Sequence, residues 1–150
     1  MNTHELHPDL RVILIGGSSH VGKTTLARSL AGRLGWSHMS TDSLARHPGR
    51  PWAPEGQDVP ERVANHYLTR SPEELIQDVL RHYRMNVWSL ISDIVAARAR
   101  NRSADRLILE GAALWPEPVS AMKSDRVASV WLTAEDDLFR RRIRGGSGYA

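Results

Sequence analysis

The sequence has no cysteine, so neither a disulfide nor a thiolate-held metal can brace the fold, and close packing has to supply its stability. It has no apolar stretch near the roughly 18 residues that a membrane-crossing helix requires. The opening MNTHELHPDL carries neither the basic block nor the apolar block of a secretion signal. A cytoplasmic protein with no membrane partner is therefore expected. Internal repeats and low-complexity tracts are missing as well, which favours one non-repetitive unit. The seven histidines include no H-E-x-x-H or other ligand spacing, so no metal site built on imidazoles is expected.

What is present is ordinary in bulk. With 150 residues, 41% hydrophobic and 25% charged, the chain has the composition of one compact globular domain. The formal charge is only +3, but arginines gather at Arg98, Arg100, Arg102 and Arg106, and again at Arg140, Arg141, Arg142 and Arg144. Such clusters suit a polyanionic ligand, with solvated helix ends as the alternative.

Residues Arg11 to Ile15, RVILI, form a continuous apolar run ending in Gly16 and Gly17, as expected of a central strand buried on both faces. Leu26, Ala27, Leu30, Ala31 and Leu34 then recur at helical spacing, and Gly35 is placed to end that helix in a left-handed cap. Ser37 to Thr41 reads as a second strand leading into Asp42. The Pro- and Gly-rich stretch from His47 to Pro60 is expected to be a surface loop. Ser71, Pro72, Glu73 and Glu74 mark a helix start with a capping box. Apolar residues from Ile76 to Ile94 then continue at a period near 3.6, which predicts one long helix reaching about Arg100. Leu107 to Leu109 and Val127 to Leu132 read as further strands, and Thr133 to Asp136 as a second capping-box start before a basic helix ending near Arg144.

Alternation of strands and helices predicts an α/β fold with a parallel sheet of about four strands, helices on both faces, and ligands at the carboxyl ends of the strands. Within a single domain spanning 1–150, residues 47–105 are expected to form a mainly helical segment covering the substrate. Residues 134–150 are expected to form a lid-like basic helix and tail.

Gly17, Ser18, Ser19, His20, Val21, Gly22, Lys23 and Thr24 match G-x-x-x-x-G-K-[ST], with a strand before and a helix after. Glycines let the backbone curl so that its N–H groups point at phosphates, and the helix N-terminus adds its positive end at the same place. ATP with Mg²⁺ is the ligand this loop implies. Lys23 would bridge the β and γ phosphates and Thr24 would place its hydroxyl on the metal. Thr25 would contact the α-phosphate or pack in the first helical turn. His20 stands at a variable position of the loop and is expected to face solvent.

Phosphoryl transfer to a hydroxyl needs a carboxylate near the acceptor, a divalent cation and cationic groups around the transferring phosphate. Asp42, after the second strand and expected beside the loop, is placed to take the hydroxyl proton or orient the acceptor; capping Ser43 to Arg46 is its structural alternative. Arg46, one turn on, is a candidate for an anionic part of the substrate. Glu110 ends the run LIL just before Gly111, where an acid would reach the Mg²⁺ shell or the substrate, or else hold loop N–H groups. The second arginine cluster is expected to supply one cation to the phosphates, and Arg141 is its candidate catalytic member. Trp52, Tyr67 and Trp88 are aromatic candidates for the acceptor pocket, Trp52 foremost, with core packing as the alternative for Trp88.

GGSSHVGKTTLA, STDSLAR, LILEG and VWLTAEDDLFRRRIR together resemble the small-molecule P-loop kinases with the nucleoside-monophosphate-kinase-like fold, over residues 11–46 and 107–144. The aspartate after the second strand looks like the catalytic acid of chloramphenicol phosphotransferase and related kinases, and the GGSS start is similar to 2-phosphoglycerate kinase-like proteins. The resemblance implies a three-layer P-loop NTPase fold and transfer of the γ-phosphate of MgATP to a hydroxyl or phosphate on a small molecule. It also implies a final strand and helix after the arginine-bearing lid, where this sequence reads GGSGYA. Either the lid is cut short or four strands with an open base pocket suffice, and weakened nucleotide affinity is expected.

Two other readings stay open. A nucleotide-binding switch or NTPase needs the same loop and releases phosphate to water. The sequence has no N-K-x-D base-reading motif and no L-S-G-G-Q signature, and it is short for a ring-forming ATPase module. A nucleic-acid-end kinase would use the arginines as a phosphate track, with a steep salt dependence of binding. A nucleic-acid partner is the less favoured expectation, and oligomeric state leaves no mark in the sequence.

Overall fold

A computed structural model describes residues 6–45 and 61–146. The expected loop over 47–60 and the candidates Arg46 and Trp52 lie outside these residues. The elements run β1 (Val12–Gly17), α1 (Lys23–Leu34), β2 (Ser37–Ser40), α2 (Glu61–Thr69), α3 (Pro72–His82), α4 (Trp88–Arg100), β3 (Leu107–Glu110), α5 (Pro116–Ser120), β4 (Val127–Leu132) and α6 (Asp136–Gly146).

All strand pairs are parallel, in the order β2-β3-β1-β4. Side chains alternate along β1 and β3, and both faces are covered. Val12, Leu14, Leu107 and Leu109 pack with Val87, Ile91 and Val95 on one side. Ile13, Ile15 and Ile108 pack with Ala27 and Ala31 of α1 on the other. A strand buried on both faces needs the unbroken apolar runs that RVILI and LIL supply. The result is three layers, helix, sheet, helix.

Two helix ends stand where the sequence put them, whereas α6 begins at Asp136 with the Glu135 carbonyl accepting its first bond, from the Phe139 N–H, rather than with a capping box from Thr133. Gly35 closes α1 at φ 66°, with its N–H donated to the Ala31 carbonyl, a conformation that glycine adopts without a Cβ penalty. Ser71 and Glu74 form the reciprocal capping box at the start of α3. The single long helix expected after it is interrupted by a π-helical turn, Tyr83–Val87, between α3 and α4. Leu75, Val79, Tyr83, Val87, Ile91 and Val95 recur every fourth residue, and an ideal α-helix drifts by about 40° at each such step. The wider π turn takes up part of that drift. It lets α3 stand over the strand ends while α4 packs on the sheet. The expected covering segment therefore divides, because α4 belongs to a core layer.

The first arginine cluster holds backbone at the far end of the sheet. Arg98 Nη1 donates to the Asp105 carbonyl (2.9 Å), Arg106 Nη2 to the Pro8 carbonyl (2.9 Å), and Arg102 pairs with Asp9 at 3.5 Å. Buried Arg11 adds bonds to the carbonyls of Asn101 (3.1 Å) and Ala104. No helix among the described residues is long and apolar enough to cross a membrane.

Candidate active site

The loop between β1 and α1 is shaped by close approaches. A Cβ on Gly16 would lie 2.4 Å from the Trp131 ring, and one on Gly17 would lie 2.5 Å from the Leu132 carbonyl oxygen. His20 and Gly22 take left-handed conformations at φ 63° and 100°. Such a φ is unusual for a residue with a Cβ, and it recurs where a chain must curl around a ligand. No side chain caps the start of α1 and no acid stands in its first turn, so its N–H groups and positive end remain for an anion.

Lys23 is 8% exposed, and its Nζ donates to the Ser18 carbonyl at 2.6 Å. Burial lowers its pKa, while the nearby charges of Glu110 and Asp42 pull it back up. Thr24 Oγ1 donates to Glu110 Oε1 at 3.1 Å. Glu110 itself is buried at 2% exposure, with His38 Nε2 3.9 Å from the same oxygen. The two residues expected at the metal thus stand together. A hydroxyl and a carboxylate, both hard oxygen donors, suit Mg²⁺, which keeps much of its water and asks few ligands of a protein. Among the described residues no cluster of three or more His, Cys, Asp or Glu could hold a metal.

Register explains the convergence. Glu110 lies between Ile15 of β1 and Ser40 of β2, so the loop after β1, the acid ending β3 and the turn after β2 emerge at one level. β3 separates β2 from β1, so the strand beside the loop brings Glu110, and Asp42, expected beside the loop, reaches the cavity it shares with Ser19, His20 and Lys23 from one strand further out. Sequence order does not specify which strands pair. Asp42 sits in a 3₁₀ turn, Thr41–Ser43, and Ser40 provides its cap by accepting from the Asp42 N–H at 3.3 Å. The Asp42 carboxyl group is left to line a cavity. Behind it Thr41 is wedged against Gly111, where a Cβ would collide with the Thr41 hydroxyl.

Two cavities meet at the phosphate loop. One, of about 290 Å³, is lined by Asp42 and Glu110 together with Tyr67 and buried His82. The other, of about 890 Å³, is lined by Val21, Gly22, Thr25 and Arg142. His20, Lys23 and Thr24 line both. Arg142, rather than the candidate Arg141, reaches the loop: its Nη1 donates to the His20 carbonyl at 3.3 Å. One residue along a helix turns the side chain by about 100°, so neighbours in an arginine run start out in different directions. Tyr67 is where a pocket aromatic was expected, whereas Trp88 packs against the core.

Arg142, His82 and the Ser18 carbonyl are the parts that sequence reading missed. The arginine run signalled a basic helix without marking the inward residue. His82 carried no signal beyond its place in the helical period.

A parallel sheet in the order β2-β3-β1-β4, with helices on both faces and a G-x-x-x-x-G-K-T loop joining β1 to α1, is the α/β P-loop NTPase fold. No protein-family model matches the chain, and no curated protein matches it in sequence. Among solved structures, a gluconokinase from Sinorhizobium meliloti is similar with a TM-score of 0.54 at 15% identity, over 95% of this chain and 69% of that one. A shikimate kinase from Aquifex aeolicus is similar with a TM-score of 0.50 at 16% identity, over 87% of this chain and 68% of that one. At such identities the likeness is one of fold.

Proposed function

We propose that this chain is a small-molecule phosphotransferase, moving the γ-phosphate of MgATP to a hydroxyl on an acceptor. The observation that carries this reading is the pair of cavities on either side of Lys23 and Thr24, one with Arg142 and the other with Asp42 and Glu110. A nucleotide on the Arg142 side would present its terminal phosphate, across the loop, to a molecule on the Asp42 side. The fold likeness to a gluconokinase and a shikimate kinase supports the same class of reaction.

In that arrangement the loop N–H groups and Lys23 hold the β and γ phosphates, and Lys23 exchanges the Ser18 carbonyl for phosphate oxygens. Thr24 and Glu110 are the residues that would hold Mg²⁺, which when bound neutralises charge on the β and γ oxygens. Asp42 accepts the acceptor's hydroxyl proton as that oxygen bonds to the γ-phosphorus. The bond from phosphorus to the β,γ-bridging oxygen breaks, and its electron pair leaves with ADP. Arg142 stabilises the charge that develops.

Coupled ADP formation from MgATP, with pooled hydroxyl-bearing compounds, tests this reading. Acceptor-dependent ADP is expected, and Asp42→Asn should lower it by about 10²–10⁴-fold with MgATP still bound. ADP formed equally without any acceptor would make the protein an NTPase. Unchanged transfer in Asp42→Asn would reduce that residue to part of a turn.

A further inference from the structure

A third cavity, of about 480 Å³, adjoins the Asp42 side of the site, and Val79, Tyr83 and Ala112 line both spaces. Gly17 and Ser18 of the phosphate loop form its inner edge. The remaining wall is apolar, with Leu75, Ile76 and Leu80 from α3 facing Leu114, Trp115 and Trp131. Among the described residues no charged side chain lines it. Its size falls within the range of about 300–1,000 Å³ usual for small-molecule pockets.

Two features mark this as a built surface. The Trp131 indole is fixed, with its Nε1–H donated to the Leu114 carbonyl at 2.8 Å and its ring against Gly16. Its one donor is therefore satisfied, and what it offers the cavity is apolar. Large apolar side chains are also left in water around the opening, Ile76 at 54% and Trp115 at 43% exposure. Apolar groups gathered at a concavity gain from a ligand that covers them. A carboxylate or a polyol placed against the wall of Leu75, Ile76, Leu114 and Trp131 would lose water to side chains that offer it no hydrogen bond in return, the Trp131 donor being already taken.

We propose that the acceptor is an uncharged alcohol bearing an aromatic or compact aliphatic group, which fills this cavity while its hydroxyl lies in the adjoining space at Asp42. The inference rests on the phosphotransfer reading for the fate of the hydroxyl, but the apolar site can be tested separately. The cavity wall continues into the space lined by Asp42 through Val79, Tyr83 and Ala112, so one molecule spans both without crossing the loop.

The test uses the whole chain and three probes: a phenyl-substituted propanediol, glycerol and gluconate. Binding is followed by saturation-transfer NMR and reaction by ADP release. The phenyl compound should bind at least about tenfold more tightly than glycerol, as burial of one ring predicts. It should also support ADP formation. Ile76→Lys and Trp115→Ala, both at exposed positions, should each weaken it by about tenfold and leave the MgATP Kd unchanged. Equal binding of glycerol and the phenyl compound would overturn the inference, as would binding insensitive to both variants. ADP formation with gluconate but not with the phenyl compound would overturn it too and leave the kinase reading standing. Selective, variant-sensitive binding with no ADP from any acceptor would uphold the apolar site and overturn the kinase reading.

Discussion

A lysine held at 8% exposure against a backbone carbonyl keeps its charge at a cost in stability. Burial disfavours the Lys23 ammonium, and Glu110 and Asp42 offset that only in part, so its pKa lies below the usual 10.5. In the window between the lowered value and 10.5 the unfolded chain binds more protons than the folded one, so this residue's contribution to stability rises with pH there. Below that window the cost of the buried charge is fully present. Lys23→Met should therefore raise the Tm of the ligand-free protein at neutral pH, by about 2–4 °C if about 1 kcal/mol is relieved. The same variant should gain nothing from MgATP, and thermal shift with and without nucleotide reads both effects. A lower Tm would make Lys23 a structural residue. The motif made this lysine legible in the sequence, and the ends of the second and third strands marked Asp42 and Glu110 as candidates; that their charges come close to Lys23 was decided by the packing of the sheet.

Among the elements, α1 serves two masters. Its N-terminus carries no side-chain cap, which the proposed function reserves for phosphate, and its inner face is fixed by Ala27 and Ala31 on the sheet. Its outer face is free to change: a Cβ at Gly32 meets nothing within 4 Å. Gly32→Ala should stabilise the protein by about 0.5–1 kcal/mol through helix propensity alone. A higher urea midpoint with unchanged MgATP affinity is the expected result, and a lower midpoint would mean that this helix face packs against something. The four strands were the most legible elements, because their short runs stand between turn residues, whereas among the helices α2 and α5 carried no expectation and only the caps at Gly35 and Ser71 were read in place. The π turn at Tyr83–Val87 was not legible, since a repeat of four is compatible with either a continuous helix or one with a wider turn, and only packing on two different neighbours selects the second.

Across the whole molecule, the loop at the centre of the sheet is approached from one side by β3 and the turn after β2, and from the other by α6. Arg142 is the described link from α6 to the loop, and its guanidinium would transfer from the His20 carbonyl to phosphate. Arg142→Ala should weaken MgATP binding by about tenfold, close to 1.4 kcal/mol, and Arg141→Ala should leave it unchanged. Calorimetric titration of the two variants separates them; equal losses would point to diffuse attraction by the arginine run instead of one contact.

The sequence by itself determined the phosphate loop, the strand and helix alternation, the two-sided burial of the central strands and the caps at Gly35 and Ser71, because each follows from the chemistry of neighbouring residues and from the period of apolar side chains. Tertiary structure alone decided that β3 lies between β1 and β2, that Glu110 meets Thr24, that Arg142 turns inward, and that α3 and the Trp115–Trp131 side enclose an apolar space beside Asp42. The physical reason is that an apolar period tells which face of an element leaves water. Which partner that face meets, and which polar groups are thereby brought within reach of one another, is fixed only when the layers pack.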